Sequence, residues 1–240
     1  MRNRLPQILI LILCGVGYFP VLLAQEETIF RIKSGQEAQQ ALPMQVKYRY
    51  ETFQHGTISF YNGKTSSGKL NYNLLLGDMQ FVNPARDTLS LANEQTIRQI
   101  RLGGDTFYYD ARHGYIEVVQ TYPLATLAIQ QKLLPLSKEK MGAYEQSSGV
   151  SSIREYGSIN TGTGATHQLE LKGDLLITKK VTYLLIDKNQ RVRRANRSGI
   201  LRLFAQDKKE INAFIEEQRI NFNQLEDLQS LLEFCQQITS

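Results

Sequence analysis

Leu70-Asn71-Tyr72-Asn73-Leu74-Leu75-Leu76-Gly77-Asp78-Met79-Gln80-Phe81 is the stretch whose reading decides the fold of this 240-residue chain. Leu70 and Tyr72 alternate with Asn71 and Asn73, Met79 and Phe81 alternate with Asp78 and Gln80, and Gly77 stands between the two runs. A period of two broken by a turn residue predicts two short antiparallel strands. The pattern extends outward from residue 56 to residue 119. Residues 57–61 lead into Asn62-Gly63, a pair suited to the positive φ angles of a type I′ hairpin turn, and residues 64–73 return. Residues 77–82 go out again to Asn83-Pro84-Ala85-Arg86-Asp87, where the proline removes a ladder donor. Strands over 88–91, 97–102, 106–109 and 115–121 follow, cut by Asn93-Glu94, Gly103-Gly104-Asp105 and Arg112-His113-Gly114. Residues 97–102 also fit a helical period. Residues 56–62 and 77–83 echo one another 21 positions apart, which is the size of a hairpin and not of a solenoid repeat.

Upstream, Met44, Val46, Tyr48 and Tyr50 alternate with Gln45, Lys47, Arg49 and Glu51, and predict a half-buried strand. Before it, residues 28–32 read as an edge strand and 34–40 as a polar linker. Downstream, residues 124–136 fit a helix or a long strand, with their alternation favouring the strand, 137–164 are a Ser-, Gly- and Thr-rich excursion, and strands resume over 168–177 and 181–186. After Asn196 the period changes to three or four. Ile200, Leu201, Leu203 and Phe204 start a first helix, and Asp207 with Glu210 has capping-box spacing for a second. Asn223 with Glu226 repeats that spacing for a third, which turns Leu225, Leu228, Leu231, Leu232 and Cys235 inward.

The first residues give an address. Arg2 and Arg4 precede an apolar run from Ile8 toward Ala24, the order of a secretory signal peptide cut after Ala24. Gly15, Gly17 and Pro20 interrupt the run, which barely reaches the roughly 20 residues of a spanning helix, so cleavage is favoured over a retained anchor. A lipoprotein signal needs a small residue before Cys14, and Leu13 is there. Cleavage leaves 216 residues with 26 basic and 23 acidic side chains, a net charge of +3. So small a charge does not point to nucleic acid, and export points away from it. Cys235 becomes the single thiol, so no internal disulfide forms and the core alone holds the fold. No later stretch is long and apolar enough to span a membrane.

The Leu70-Asn71-Tyr72-Asn73, Gly77 and Phe81 pattern, with Lys209-Glu210-Ile211, Ile220-Asn221-Phe222 and Glu226-Asp227-Leu228, resembles a group of uncharacterised secreted β-rich proteins of Bacteroidetes-type bacteria. The resemblance covers most of the mature chain, and it implies export and a β-then-α order. It implies no activity, so no functional residue follows from it.

Chemistry is sparse. His55, His113 and His167 have no metal-site spacing, and two of them neighbour glycines in expected turns. Cys235 lies on the apolar face of the last helix, the setting of an inert thiol. Ser147, Ser148, Ser151 and Ser152 cluster in the long loop without a nucleophile elbow. Asp78, Asp105, Asp110 and Glu117 are the carboxylates from which a glycosidase pair would be drawn, although most turn carboxylates cap backbone amides. The densest local feature is basic: Lys179, Lys180, Lys188, Arg191, Arg193, Arg194, Arg197 and Arg202. From it come the anion-binding candidates Arg191, Arg193, Arg194, Arg197 and Arg202, weighed against an ordinary solvated hairpin tip.

The expectation is an exported, periplasmic or envelope-associated α+β protein. An antiparallel curved meander of about nine to eleven strands occupies 44–195 with a loop at 137–164, and short helices over 196–240 cap it. A signal peptide, 1–24, and an edge strand with linker, 25–43, precede it. The expected function is a non-enzymatic binding or structural module with an apolar or anionic ligand, its partner an envelope lipid, glycan or protein. The competing class is a hydrolase of envelope glycans that uses the meander carboxylates. No cofactor or metal is expected.

Overall fold

The computed structural model describes residues 29–33, 36–135 and 175–239. The expected signal segment, the 137–164 loop with its serines, His167 and the start of the 168–177 strand lie outside the described residues. The chain runs β1 (Ile29–Ile32), α1 (Ala38–Ala41), α2 (Met44–Lys47), β2 (Gln54–Phe60), β3 (Thr65–Asn73), β4 (Asp78–Val82) and β5 (Thr88–Ser90). It continues through β6 (Ile97–Leu102), β7 (Asp105–Asp110), β8 (Gly114–Thr121), β9 (Ala125–Pro135), β10 (Leu175–Asp187) and β11 (Val192–Arg194). Three helices close it, α3 (Arg197–Leu203), α4 (Lys208–Glu217) and α5 (Leu225–Thr239). The strands form one antiparallel sheet in the order β1-β10-β9-β8-β7-β6-β2-β3-β4-β5, and β11 extends the β1 side of β10. The curved meander with a helical cap is therefore the observed architecture, with β1 at an edge.

Local readings differ in instructive places. The 44–50 alternation does not make a strand, because Pro43 starts the helical turn α2 and only Tyr48 then makes a bridge, to Asn73. The end of the expected 34–40 linker is part of the helical turn α1, and on either side of the linker Ile32 and Leu42 are buried in the main core. The type I′ turn falls at Gly103-Gly104, both at positive φ, and not at Asn62-Gly63, where Gly63 alone is left-handed. That hairpin has a three-residue loop closed by Gly63 N–H to Phe60 O, and the same geometry recurs at 84–86 and 188–190 with Arg86 and Gln190 in the left-handed position. β10 runs unbroken through Lys179 and Lys180, so the two strands expected around them are one. Neither capping box forms as spaced. The Asp207 carboxylate accepts from Thr239 at the far end of α5, and Asp227, not Asn223, accepts a backbone N–H, that of Asn221, at the start of α5.

The long strands β9 and β10 are a spine shared by two cores. Leu133 and Leu127 are an even number apart, as are Ile177 and Leu185, so all four face one side. At one end Leu133 and Ile177 pack with Leu70, Tyr72, Ile100, Leu102 and Phe107 inside the curl of the sheet. At the other end Leu127 and Leu185 lie under Ile200, Ile211, Leu228 and Leu232 of the helices. Leu228, Leu231, Leu232 and Cys235 are fully buried, as the helical period requires. A smaller cluster, Ile116, Ala128, Leu184 and Ile186, covers the opposite face with Tyr108, so Phe107 and Tyr108 pack on opposite sides of the sheet.

The hairpin of β3 and β4 closes the curl. The β8–β9 ladder stops at Glu117 and Ile129, although β9 continues to Pro135. The tip of the hairpin enters the gap: Leu133 N–H donates to Leu74 O at 2.8 Å, and the Tyr72 hydroxyl donates to Gln131 O at 3.2 Å. Two buried asparagines shape it. Asn73 Oδ1 accepts from the N–H groups of Leu75 and Leu76, and Asn71 exchanges hydrogen bonds with both backbone groups of Tyr50, replacing a missing ladder partner.

Candidate functional site

Five arginines from three parts of the chain line one open surface groove of about 870 Å³, and four of them face it without an ion-pair partner among the described residues. Arg191 precedes β11 and Arg194 ends it, Arg202 comes from α3, and Arg112 comes from the β7–β8 turn. Among the described residues these four side chains make no ion pair, and all four are exposed. The β10–β11 hairpin sets Arg191. Asp187 accepts from the N–H groups of Asn189 and Arg191, which folds the loop and turns the chain back along β10. The β11–α3 junction sets Arg194 and Arg202. Asn196 Oδ1 accepts from Gly199 N–H at 2.9 Å, and Gly199 lies against the Arg194 carbonyl so closely that a Cβ would overlap that oxygen. Gly199→Ala is expected to lower stability by about 2 kcal/mol, about 4–8 °C in a thermal melt, and to distort the groove.

The one carboxylate in the lining, Asp110, is committed to its own turn. Its Oδ1 accepts from His113 Nδ1 at 2.6 Å and from the backbone N–H groups of Arg112 and His113. Burial alone would raise this carboxyl, but the hydrogen bonds from the His113 ring and the two amides outweigh it and hold it below its ordinary range.

Four of the five expected arginines line the groove, three of them unpaired among the described residues, and two of the five do not serve as free cations. Arg193 lines the wall but pairs with Asp187 at 2.7 Å, and Arg197 turns to α4, where it donates to Asn212 Oδ1 and Glu216 Oε1. Arg112 is the member that sequence spacing misses. Its signal is the turn Asp110-Ala111-Arg112-His113 itself, which reaches Arg191 only through the order of the strands.

The other carboxylates are engaged elsewhere. Glu117, 7 % exposed, receives both arms of Arg49, Nε at 2.8 Å and an Nη at 2.9 Å, and Gln131 Nε2 at 3.1 Å. Asp105 accepts from the Tyr50 hydroxyl at 2.6 Å and lies 3.6 Å from the same Arg49. Glu117, Ile129 and Lys179 share the spine face between the two cores, so this cluster ties the curl to the sheet. The hydrogen bond to Glu117 lifts Arg49 above its ordinary pKa, whereas burial and then Arg49 itself lower Lys179. Asp78 accepts from Ser90, and burial raises its carboxyl. A carboxylate clamped between the arms of an arginine, as Glu117 is, is a poor nucleophile or proton donor.

His55 lies inside β2 and not in a turn, and among the described residues no group of His, Cys, Asp and Glu is placed to hold a metal. Burial pushes the Cys235 thiol up to about 12. Among the described residues no helix is long and apolar enough to cross a membrane. No protein-family model, no curated protein and no solved structure matches this chain.

Proposed function

We propose that the protein is a non-enzymatic binding module of the cell envelope, exported by the segment 1–24, whose ligand is an anion held in the arginine groove. The observation that carries this reading is the convergence of Arg112, Arg191, Arg194 and Arg202, without ion-pair partners among the described residues, on one concave surface. Like charges gathered without counter-charges repel, and an anionic ligand relieves that repulsion. The apolar-ligand alternative loses its seat, because Tyr72, Phe107, Leu102 and Met79 fill the concave side of the sheet. A rigid sheet that presents arginines on a hairpin and a short helix suits a receptor for a fixed anionic group.

The test is a thermal melt of the wild type across a panel of phosphate, sulfate, uronate and acidic-peptide probes. A probe that binds is expected to add about 2.7 kcal/mol at a hundredfold excess over its Kd. The variant with Arg112, Arg191, Arg194 and Arg202 all replaced by Gln is expected to lose that rise, and Arg197→Gln to keep it. An equal rise in the quadruple variant would place any binding elsewhere and defeat the proposal.

A further inference from the structure

The hydrogen-bonding character of the same groove narrows the ligand, given the anion-site reading. We propose that the groove takes a phosphoryl group, a phosphomonoester or diphosphate, and not the carboxylate of an acidic sugar. The lining is rich in donors and poor in acceptors. Five guanidinium groups, of which only Arg193 is paired among the described residues, donate and cannot accept. Asn196 has committed its Oδ1 to Gly199, which leaves its NH₂ for the groove, and Asp110 Oδ1 is held by three donors of its own turn. Ser198 and Gln190 are the remaining side chains with both capacities.

A glycan presents hydroxyls that must donate as well as accept, and it is commonly seated against an aromatic ring. This groove has few acceptors for such hydroxyls and no aromatic side chain in its lining. A phosphoryl group is acceptor-only, with three oxygens and about −1.5 to −2 charge at neutral pH. Its oxygens match the planar fork of arginine, and the cations of the lining are all arginine, with no lysine among the lining residues. The charge also favours it, because one carboxylate neutralises one guanidinium, whereas a diphosphate neutralises several from a single compact group.

The experiment uses the full mature chain with three probes: inorganic pyrophosphate, vesicles of neutral lipid doped with phosphatidic acid, and an oligogalacturonate matched in charge to pyrophosphate. Pyrophosphate or the doped vesicles are expected to bind at least about tenfold more tightly than the oligogalacturonate. The Arg112→Gln/Arg194→Gln variant is expected to lose about tenfold or more toward the phosphate probe, and Arg197→Gln to lose nothing. Binding of vesicles alone assigns the phosphate to a lipid headgroup, and binding of pyrophosphate assigns it to a soluble ligand; either supports the inference. Oligogalacturonate binding as tight as the phosphates would overturn the phosphoryl assignment while leaving an anion site. No binding of any probe, or binding untouched by the arginine variant, would overturn both.

Discussion

Asn73→Ala is expected to lower the stability of the chain by about 3 kcal/mol, which corresponds to about 6–12 °C in a thermal melt for a protein of this size. Asn73 is 1 % exposed and makes three hydrogen bonds that alanine cannot. Its Oδ1 satisfies the N–H groups of Leu75 and Leu76 at 3.0 and 3.1 Å, and its Nδ2 donates to Gln80 Oε1 at 3.1 Å. Removing it leaves two amide donors unsatisfied in the turn that fills the gap between β8 and β9. The bond from Leu133 N–H to Leu74 O depends on that turn, so faster amide exchange at Leu133 should accompany the loss. Asn62→Ala removes a similar side-chain bond, to Lys64 N–H, from an exposed hairpin tip and is expected to change stability by less than about 0.5 kcal/mol. Equal effects from the two substitutions would mean that the β3–β4 tip does not close the curl.

Arg49→Leu is expected to have a comparable effect, again about 3 kcal/mol, for an electrostatic reason. Arg49 carries two of the three donors that satisfy the Glu117 carboxylate, and only Gln131 remains without it. Water reaches the arginine, whose side chain is 30 % exposed, but hardly the glutamate, at 9 %. The loss is therefore set by the buried partner. Because breaking such a pair is worse than deleting it, Arg49→Leu/Glu117→Leu should recover most of the stability beside Ile129 and Val181. Arg49→Lys, a single point charge in place of a fork, should fall between. Urea denaturation of the wild type, Arg49→Leu, Glu117→Leu and the double variant completes the cycle, and a double variant no better than Arg49→Leu would show that the pair itself, and not the burial of an unpaired charge, holds the cores together.

Much of this architecture is legible in the chain. The period of two and the turn residues between 56 and 121 place β2 to β8, although 97–102 fits a helical period as well, because one face of each strand must enter a core while the other meets water. The turn types are less legible. Gly63, Arg86 and Gln190 occupy equivalent left-handed positions, and only the first is glycine. The helix at Met44 is hidden because its alternation satisfies a strand period while Pro43 sets a helical turn. Asn71 and Asn73 look like ordinary polar positions of a strand, yet both are buried: the segment 48–52 takes the Asn71 amide in place of a ladder, and Asn73 bonds the turn that follows it and Gln80. The groove is half legible. Arg191, Arg194 and Arg202 fall in one basic stretch, but the Arg193 pairing depends on hairpin register with Asp187, and the Arg197 pairing depends on how α4 packs. Arg112 joins them from about eighty positions earlier, through strand order alone.

The most direct test of the groove as the ligand site follows the arginine side-chain N–H resonances of the isotope-labelled protein while inorganic pyrophosphate is added. The four groove arginines, Arg112, Arg191, Arg194 and Arg202, are expected to shift together along one saturating curve, while Arg49 and Arg197 stay fixed. Shifts at Arg49 or Arg197 without the groove four, or a linear drift of every arginine alike, would contradict the account.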